Sequence, residues 1–418
     1  MKKTLIKLST LSLVLFSVVA CSDPYISADD INLSETSIIL AVDSSKTIIA
    51  DLSPTDATDK AVTWSSNNPE VASVNNEGVV TANSIGTAEI VALSTDGIRE
   101  TVIVKTLDMT AVELPPSFGL SGQHYSGITF DQSGNTWAGA GSYIYKISSE
   151  GNLLEEIKTP EADFITDMFF DSEESLWIAN RYKGLLKYEE GTFTRYQLFN
   201  EANEQYRFDA MAIDGKDNLW LTLDDPTEIG QVNIAKFDGN DFQIIEIPDS
   251  LFFNVEFRQS NGIMVDKEDN IYYTAGSSRT FLLRYDGDNW TNLRQSGFNA
   301  TDMTVDKDNN LWVAYRGVGL TRFNDNGFND YGPSQIHQSV DDTWFLNIHF
   351  GSLHIMVDQN NVKWFGITSG LLRYDDNEWD YIDPTIFPDT FIHKSGIDAQ
   401  GNLWFVSFNK VYKVEPWG

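Results

Sequence analysis

Five histidines are the residues most able to hold a metal ion or move a proton: His124, His337, His349, His354 and His393. Imidazole titrates near neutrality and is the commonest protein ligand for transition metals. Asp167, Asp209 and Asp302 could complete such a set. A divalent ion bound by imidazole and carboxylate is what these side chains would build, and His124, His354, His393 and Asp302 are the candidate ligands. No His-x-His or His-Glu-x-x-His spacing assembles that site locally. A second group points to binding. Trp344, Phe345, Tyr125, Tyr182, Tyr315 and Phe391 could stack on the apolar face of a sugar or peptide. Arg181, Arg279 and Arg316 could then fix its orientation. Each has a structural alternative, in which the histidines are satisfied by loop backbone and the aromatics pack under their own loops.

The elements that must position these residues show in a repeat. An Asp closes a short apolar run, a polar turn follows, and an aromatic stands six residues after the Asp. The register recurs at Asp131/Trp137, Asp171/Trp177, Asp214/Trp220, Asp266/Tyr272, Asp306/Trp312, Asp358/Trp364 and Asp398/Trp404. Successive copies lie 40 to 52 residues apart, a period that signals a repeat architecture. Each unit carries four strand signals separated by Asp-Gly or Asn-Gly turns. In the fifth unit they cover residues 302–305, 311–314, 320–323 and 328–331. Four-stranded units at this spacing read as blades of a seven-bladed propeller.

The histidines, with Tyr125, Trp344, Phe345 and Phe391, then fall in or beside the connections leading into blades 1, 6 and 7. Arg181, Tyr182, Arg279, Tyr315 and Arg316 fall across the ring, between the second and third strands of their blades. Both kinds of connection open at one mouth of the channel. The longest insertion, residues 331–353, carries Trp344, Phe345, His337, His349, Asp341 and Asp342; long loops on a rigid scaffold commonly carry function. The repeat residues themselves read as structural, the Asp accepting hydrogen bonds from its turn and the aromatic packing between blades. Asp306-Lys-Asp308-Asn-Asn310 opens like a calcium loop, but lacks the Glu twelve residues on.

The pattern Asp-x-x-x-Asn-Leu-Trp, followed by Gly184-Leu-Leu-Lys-Tyr188, Gly319-Leu-Thr-Arg-Phe323 and Gly370-Leu-Leu-Arg-Tyr374, resembles the two-component regulator propeller repeat. No transmembrane or kinase segment is read, so a signalling role is not carried over. Ahead of the repeats, residues 31–106 read as short alternating strands at 37–42, 47–52, 61–66, 79–82, 87–93 and 101–105. Val62-Thr-Trp64-Ser-Ser-Asn-Asn-Pro69-Glu-Val-Ala-Ser-Val74, Gly78-Val-Val-Thr-Ala82 and Ile85-Gly86-Thr-Ala-Glu-Ile90 resemble the bacterial Ig-like domain of group 2. That resemblance implies an extracellular spacer or adhesion module without chemistry, with Trp64 in its core.

The chain is therefore expected to be all-β, an Ig-like β-sandwich at 31–106 followed by a seven-bladed β-propeller at 107–418, with 107–123 as junction. The seventh unit offers only three strands, and residues 109–114 are expected to supply its fourth, pairing 111–114 with 411–414.

Residues 1–20 read as a secretory signal: Met1-Lys2-Lys3 is basic and 11–20 is apolar but too short to span a bilayer. Val18-Val19-Ala20-Cys21 resembles the lipobox of bacterial lipoproteins, which implies lipidation at Cys21, a tether at 21–30 and a bilayer as partner in the cell envelope. Cys21 is the only cysteine, so no intramolecular disulfide forms. A formal net charge of -32 argues against nucleic acid as a partner. The expected function is non-catalytic binding of an extracellular ligand, a glycan or peptide, with no cofactor. A metal-dependent lyase or lactonase at the channel mouth, or a protein-interaction scaffold, are the alternatives.

Overall fold

The computed structural model describes residues 25–115, 126–160, 164–228, 230–252, 260–276, 279–332, 336, 354–367, 370–375, 378–382, 386, 392–407 and 410–417. Apart from a 3-10 turn at Asp249–Phe252, its named elements are strands. No described helix is long and apolar enough to cross a membrane.

The N-terminal strands build a sandwich. Val62–Ser66, Gly86–Ser94 and Arg99–Val112 pair antiparallel, and Ser37–Ala41 joins the last of them in parallel. Ser45–Thr47, Val79–Ala82 and Ala72–Val74 form a second sheet, and Asp30–Leu33 pairs with Ala50–Ser53. Residues 47–52 are thus not the single strand expected, because their two ends pair with different partners. Burial alternates along Gly86–Ser94, as it must where one face of a strand meets a core. That core is Ile38, Leu40, Val80, Ile90, Val102 and Val104, with Trp64 half-buried against it.

Blades 1 to 6 are four-stranded antiparallel sheets in simple sequential order. Their innermost strands are Ser126–Phe130, Ile165–Phe170, Met211–Ile213, Ser260–Val265, Ala300–Val305 and His354–Val357. Blade 7 begins at Lys394–Ile397, continues through Leu403–Val406 and Val411–Glu415, and takes its outer strand from the N-terminal side. Val411 pairs with Val112, Tyr412 with Ala111, Lys413 with Thr110 and Val414 with Met109. Glu113 and Leu114 lie beyond this ladder. The segment is no free-standing piece: it is the second half of the 14-residue strand Arg99–Val112, whose first half belongs to the sandwich.

The repeat register has a local physical cause. In blade 5, Asp306 accepts the Asn310 backbone N–H at 2.9 Å, the Asn310 amide and the Trp312 indole N–H at 2.9 Å. The same indole-to-carboxylate bond closes blades 1, 2, 3, 6 and 7. Burial would raise the Asp306 carboxyl, but the bonds from Trp312 and Asn310 outweigh it and hold it below its usual range. Its oxygens are occupied by the fold, which accounts for the calcium-like spacing. The clamp also presents each indole to the next blade. Trp312, fully buried, packs against Phe365, Tyr374 and Trp379 of blade 6.

Candidate functional site at the channel mouth

The seven inner strands converge on a cavity of about 450 Å³. Its position follows from the repeat. Four residues before each clamp Asp stand Gly127, Asp167, Ala210, Gly262, Asp302, His354 and Lys394. The ring at this level therefore carries three small residues and four that ionise. Asp209, Asn261, Thr301 and His393 stand one residue earlier in their blades and line the same cavity.

The ionisable residues bind across the ring. Lys394 Nζ of blade 7 reaches Asp167 Oδ1 of blade 2 at 3.0 Å. Gly127 of the intervening blade has no side chain; a Cβ there would come within 2.7 Å of Met168. Burial pushes the Asp167 carboxyl above its ordinary range, against the pull of Lys394 and two backbone N–H groups. Burial would lower the Lys394 ammonium, yet the Asp167 and Asp302 carboxylates outweigh it and hold it above its ordinary value. Asp302 accepts the Met303 N–H at 2.8 Å and the Ile355 N–H of the next blade at 2.9 Å. His354 Nε2 donates to the Ile392 carbonyl at 3.1 Å, so Nδ1 faces Asp302 Oδ2 at 3.5 Å.

A second cluster sits where blades 2, 3 and 4 meet the mouth. Arg181 Nη1 lies 2.5 Å from Asp209 Oδ1. Burial first, then the neighbouring Asp224 carboxylate, push Asp209 up to about 7 against Arg181 and Arg207. Asp224 accepts the Ser260 hydroxyl at 2.5 Å, and Ser260 meets the Tyr273 hydroxyl at 2.7 Å. Above them the Tyr182 ring is 41% exposed, with the Arg181 and Arg207 guanidiniums 5.7 and 5.8 Å from its centre. Phe164 meets its edge at 5.3 Å. An exposed ring held by two guanidiniums beside paired carboxyls can stack on a ligand face and hydrogen-bond its hydroxyls.

The sequence candidates divide accordingly. Arg181 and Tyr182 meet in this cluster, while Arg279 and Arg316 lie exposed on the connections of blades 4 and 5. Tyr315 is corrected: it is 4% exposed, packed with Ala300, Met303 and Val313, and burial pushes its phenol up to about 12. As the last residue of Leu311–Tyr315 it still turns into the space between blades, and the exposed hairpin begins only at Arg316. Of the metal candidates, Asp302 and His354 come together. Asp302 already serves two backbone N–H groups and His354 a carbonyl. Among the described residues no three His, Cys, Asp or Glu converge as a metal would need. His393 lines the cavity. His124, Tyr125, His337, Trp344, Phe345, His349 and Phe391, like Cys21, lie outside the described residues.

Sequence reasoning missed Lys394, Arg207 and Asp224. Lys394 had a usable signal, since it occupies the repeat position of Asp167, Asp302 and His354. Arg207 and Asp224 had none, because only folding brings them to Arg181.

In comparisons with known proteins, residues 27–104 match the bacterial Ig-like domain (group 2). No curated protein matches the chain in sequence. Among solved structures, it is similar to a catalytically inactive virginiamycin B lyase from Staphylococcus aureus with quinupristin, at 15% identity and a TM-score of 0.57, covering 74% of this chain and 99% of that one. It is similar to the extracellular domain of a B. thetaiotaomicron protein described as a hybrid two component system, at 17% identity and a TM-score of 0.55, over 81% of this chain and 46% of that one. PorZ, a bacterial surface component of the type-IX secretion system of Porphyromonas gingivalis, aligns at 12% identity and a TM-score of 0.54, over 93% of this chain and 57% of that one. The chain thus spans about half the length of the last two. Residues 27–104 thus carry a bacterial Ig-like domain (group 2), and the blade topology together with these likenesses in fold makes the rest a seven-bladed β-propeller.

Proposed function

We propose that the protein is a lipid-anchored extracytoplasmic binding protein whose channel mouth takes a glycan without transforming it. The observation that carries this is Tyr182, an exposed ring held by Arg181 and Arg207 at the rim of a polar cavity. Sugars are recognised by such a combination, a ring for the apolar face and planar polar groups for the hydroxyls. The extracellular and surface placements of the B. thetaiotaomicron domain and PorZ support the location.

The test is a glycan array probed with the mature chain, followed by titration of each hit against Tyr182→Ala. Because the ring is half in solvent, the melting temperature should hardly move, while affinity should fall by about 1–3 kcal/mol. An array without hits, or a variant that binds like the parent, would overturn the reading. The second reading, a metal-dependent lyase, is favoured only by the Asp302–His354 contact; ligand binding unaffected by a chelator counts against it.

A further inference from the structure

Inside the channel the ring of side chains is incomplete on one side. At the level of Asp167, Asp302, His354 and Lys394, the adjacent blades 3 and 4 carry Ala210 and Gly262. The small pair leaves a gap in the wall of the cavity. Gly262 is not there for the backbone. Its φ lies outside the left-handed region, and the register shift that precedes it recurs in blades 2 and 5, where the same position holds Asp167 and Asp302. Nor is it there for packing. A Cβ would meet the Met303 methyl at 3.4 Å and Thr274 Oγ1 at 3.5 Å, which is ordinary contact, whereas at the equivalent Gly127 it would come within 2.7 Å of Met168. What the glycine supplies is space.

The gap is bordered by carboxyls. Asp209 stands one residue before Ala210 and lines the cavity, and Asp302 follows Gly262 around the ring. The Asp302 side chain is 31% exposed, against 6% for Asp167, and the Met303 and Ile355 N–H groups hold it in place. Among the described residues lining the cavity, the one lysine or arginine is Lys394, which is across the ring and 3.0 Å from Asp167. Arg181, which pairs with Asp209, does not line the cavity. A ligand group entering the gap therefore meets carboxyls with no cation facing it. The cavity already holds one ammonium on these terms: Lys394, though buried, is kept above its ordinary value by Asp167 and Asp302. An ammonium brings three donors and gains from fixed carboxylates where water is scarce. Asp209, raised to about 7, would ionise beside it. A carboxylate or sulfate in the same place would be repelled.

We infer that the gap between Asp209 and Asp302 is a subsite for a protonated amine, and that the glycan taken at the mouth places a free amino sugar there. The inference rests on the glycan-binding reading above and names the substrate class of that site. Asp209 links its two parts: it pairs with Arg181 beneath the Tyr182 ring and also lines the gap. A sugar stacked on Tyr182 and an amine in the gap can thus belong to one ligand. The net charge of -32 draws a cationic glycan toward the protein.

The experiment is calorimetry of the mature chain with the trisaccharide of glucosamine and with its fully N-acetylated counterpart, at a pH that keeps the free amine protonated. The free amine should bind about tenfold or more tightly, and its advantage should shrink as NaCl rises. Asp302→Asn removes the charge and keeps an oxygen for a backbone N–H, while Gly262→Val fills the gap. Each should cost the free-amine sugar about tenfold or more in affinity, and Gly262→Val should leave the thermal melt unchanged. General attraction to an acidic surface would survive both substitutions, so variants that bind like the parent overturn the subsite. Equal affinity for the two trisaccharides, or no binding of the free amine, overturns it too; in each case hits on the glycan array leave the glycan reading standing. Failure of both trisaccharides to bind, together with an array without hits, overturns both.

Discussion

The Asp209 carboxyl lies between a guanidinium and a second carboxyl, which pull its proton affinity in opposite directions. Its side chain is 8% exposed, and burial together with Asp224 wins over Arg181 and Arg207, raising it to about 7. An unfolded Asp titrates near about 3.9. The folded chain therefore holds this proton where the unfolded chain has lost it. The stabilisation is complete below the unfolded value and is lost as pH rises through about 7. Asp209→Asn cannot ionise, so it should remove this part of the pH dependence, up to about 1.4 kcal/mol per pH unit between those two values. Urea unfolding of parent and variant at pH 5 and pH 8 measures it. An equal loss of stability in both would show that Asp209 is not the group responsible. The neighbouring Asp167 is also raised by burial, so some slope should remain.

At the scale of elements, the turn after each inner strand closes its own blade and ties it to the next. Its third residue adopts positive φ, between 61 and 67°, in Glu174, Asp217, Asp269, Asn309 and Asn361. From there the side chain can reach back to the preceding blade, as Glu174 does to the Gln132 N–H at 2.9 Å and Asn361 to the Lys307 N–H at 2.9 Å. In blades 1 and 7 the position is Gly134 and Gly401, which have no side chain to offer. Both interfaces of blade 7 thus lack this tie, and blade 7 is the one completed by Arg99–Val112. A chain beginning at Asp108 keeps that strand, whereas one beginning at Leu114 exposes Val411–Glu415 as an open edge. Open edges pair with other chains. The shorter chain should melt several degrees lower and self-associate in light scattering. Two chains that melt alike and stay monomeric would remove the closing role of the strand.

Across the whole molecule, the shared strand makes sandwich and ring one mechanical unit. Lys105 of the strand pairs with Asp380 of blade 6 at 2.5 Å, and Arg373 holds the other Asp380 oxygen at 3.1 Å. Lys105 also lies 5.6 Å from the centre of the buried Trp417 ring. Ile39 of the sandwich packs on the core of blades 6 and 7. The direction of the channel mouth is therefore set relative to the sandwich, and the proposed anchor at Cys21 precedes that sandwich in the chain. Two or more acyl chains, at about 0.8 kcal/mol per buried CH₂, would hold such a protein on a bilayer. Cys21→Ser should move it from the membrane to the soluble fraction in cell fractionation. A variant that fractionates like the parent would remove the anchor from the proposal.

The amino-acid sequence by itself determined the architecture, because the signals that specify it are local. The Asp-to-aromatic spacing spans six residues, closed by an indole bond as in Asp306 and Trp312 and kept with Tyr272 in blade 4, so it is visible in every copy and counts the blades. The closing strand was legible from the seventh unit's missing fourth strand, though its continuity with the sandwich was not. The site depended on contacts between distant residues. Lys394 meets Asp167 across the ring, and Arg181 meets Asp209 only because two blades pack side by side. Tyr315 and Arg316 are adjacent in sequence, yet one is core and the other rim, a difference decided by where the strand ends. Which side chains face the mouth, and which charges cancel there, is set by ring closure, since only the closed ring brings seven separate strands to one axis.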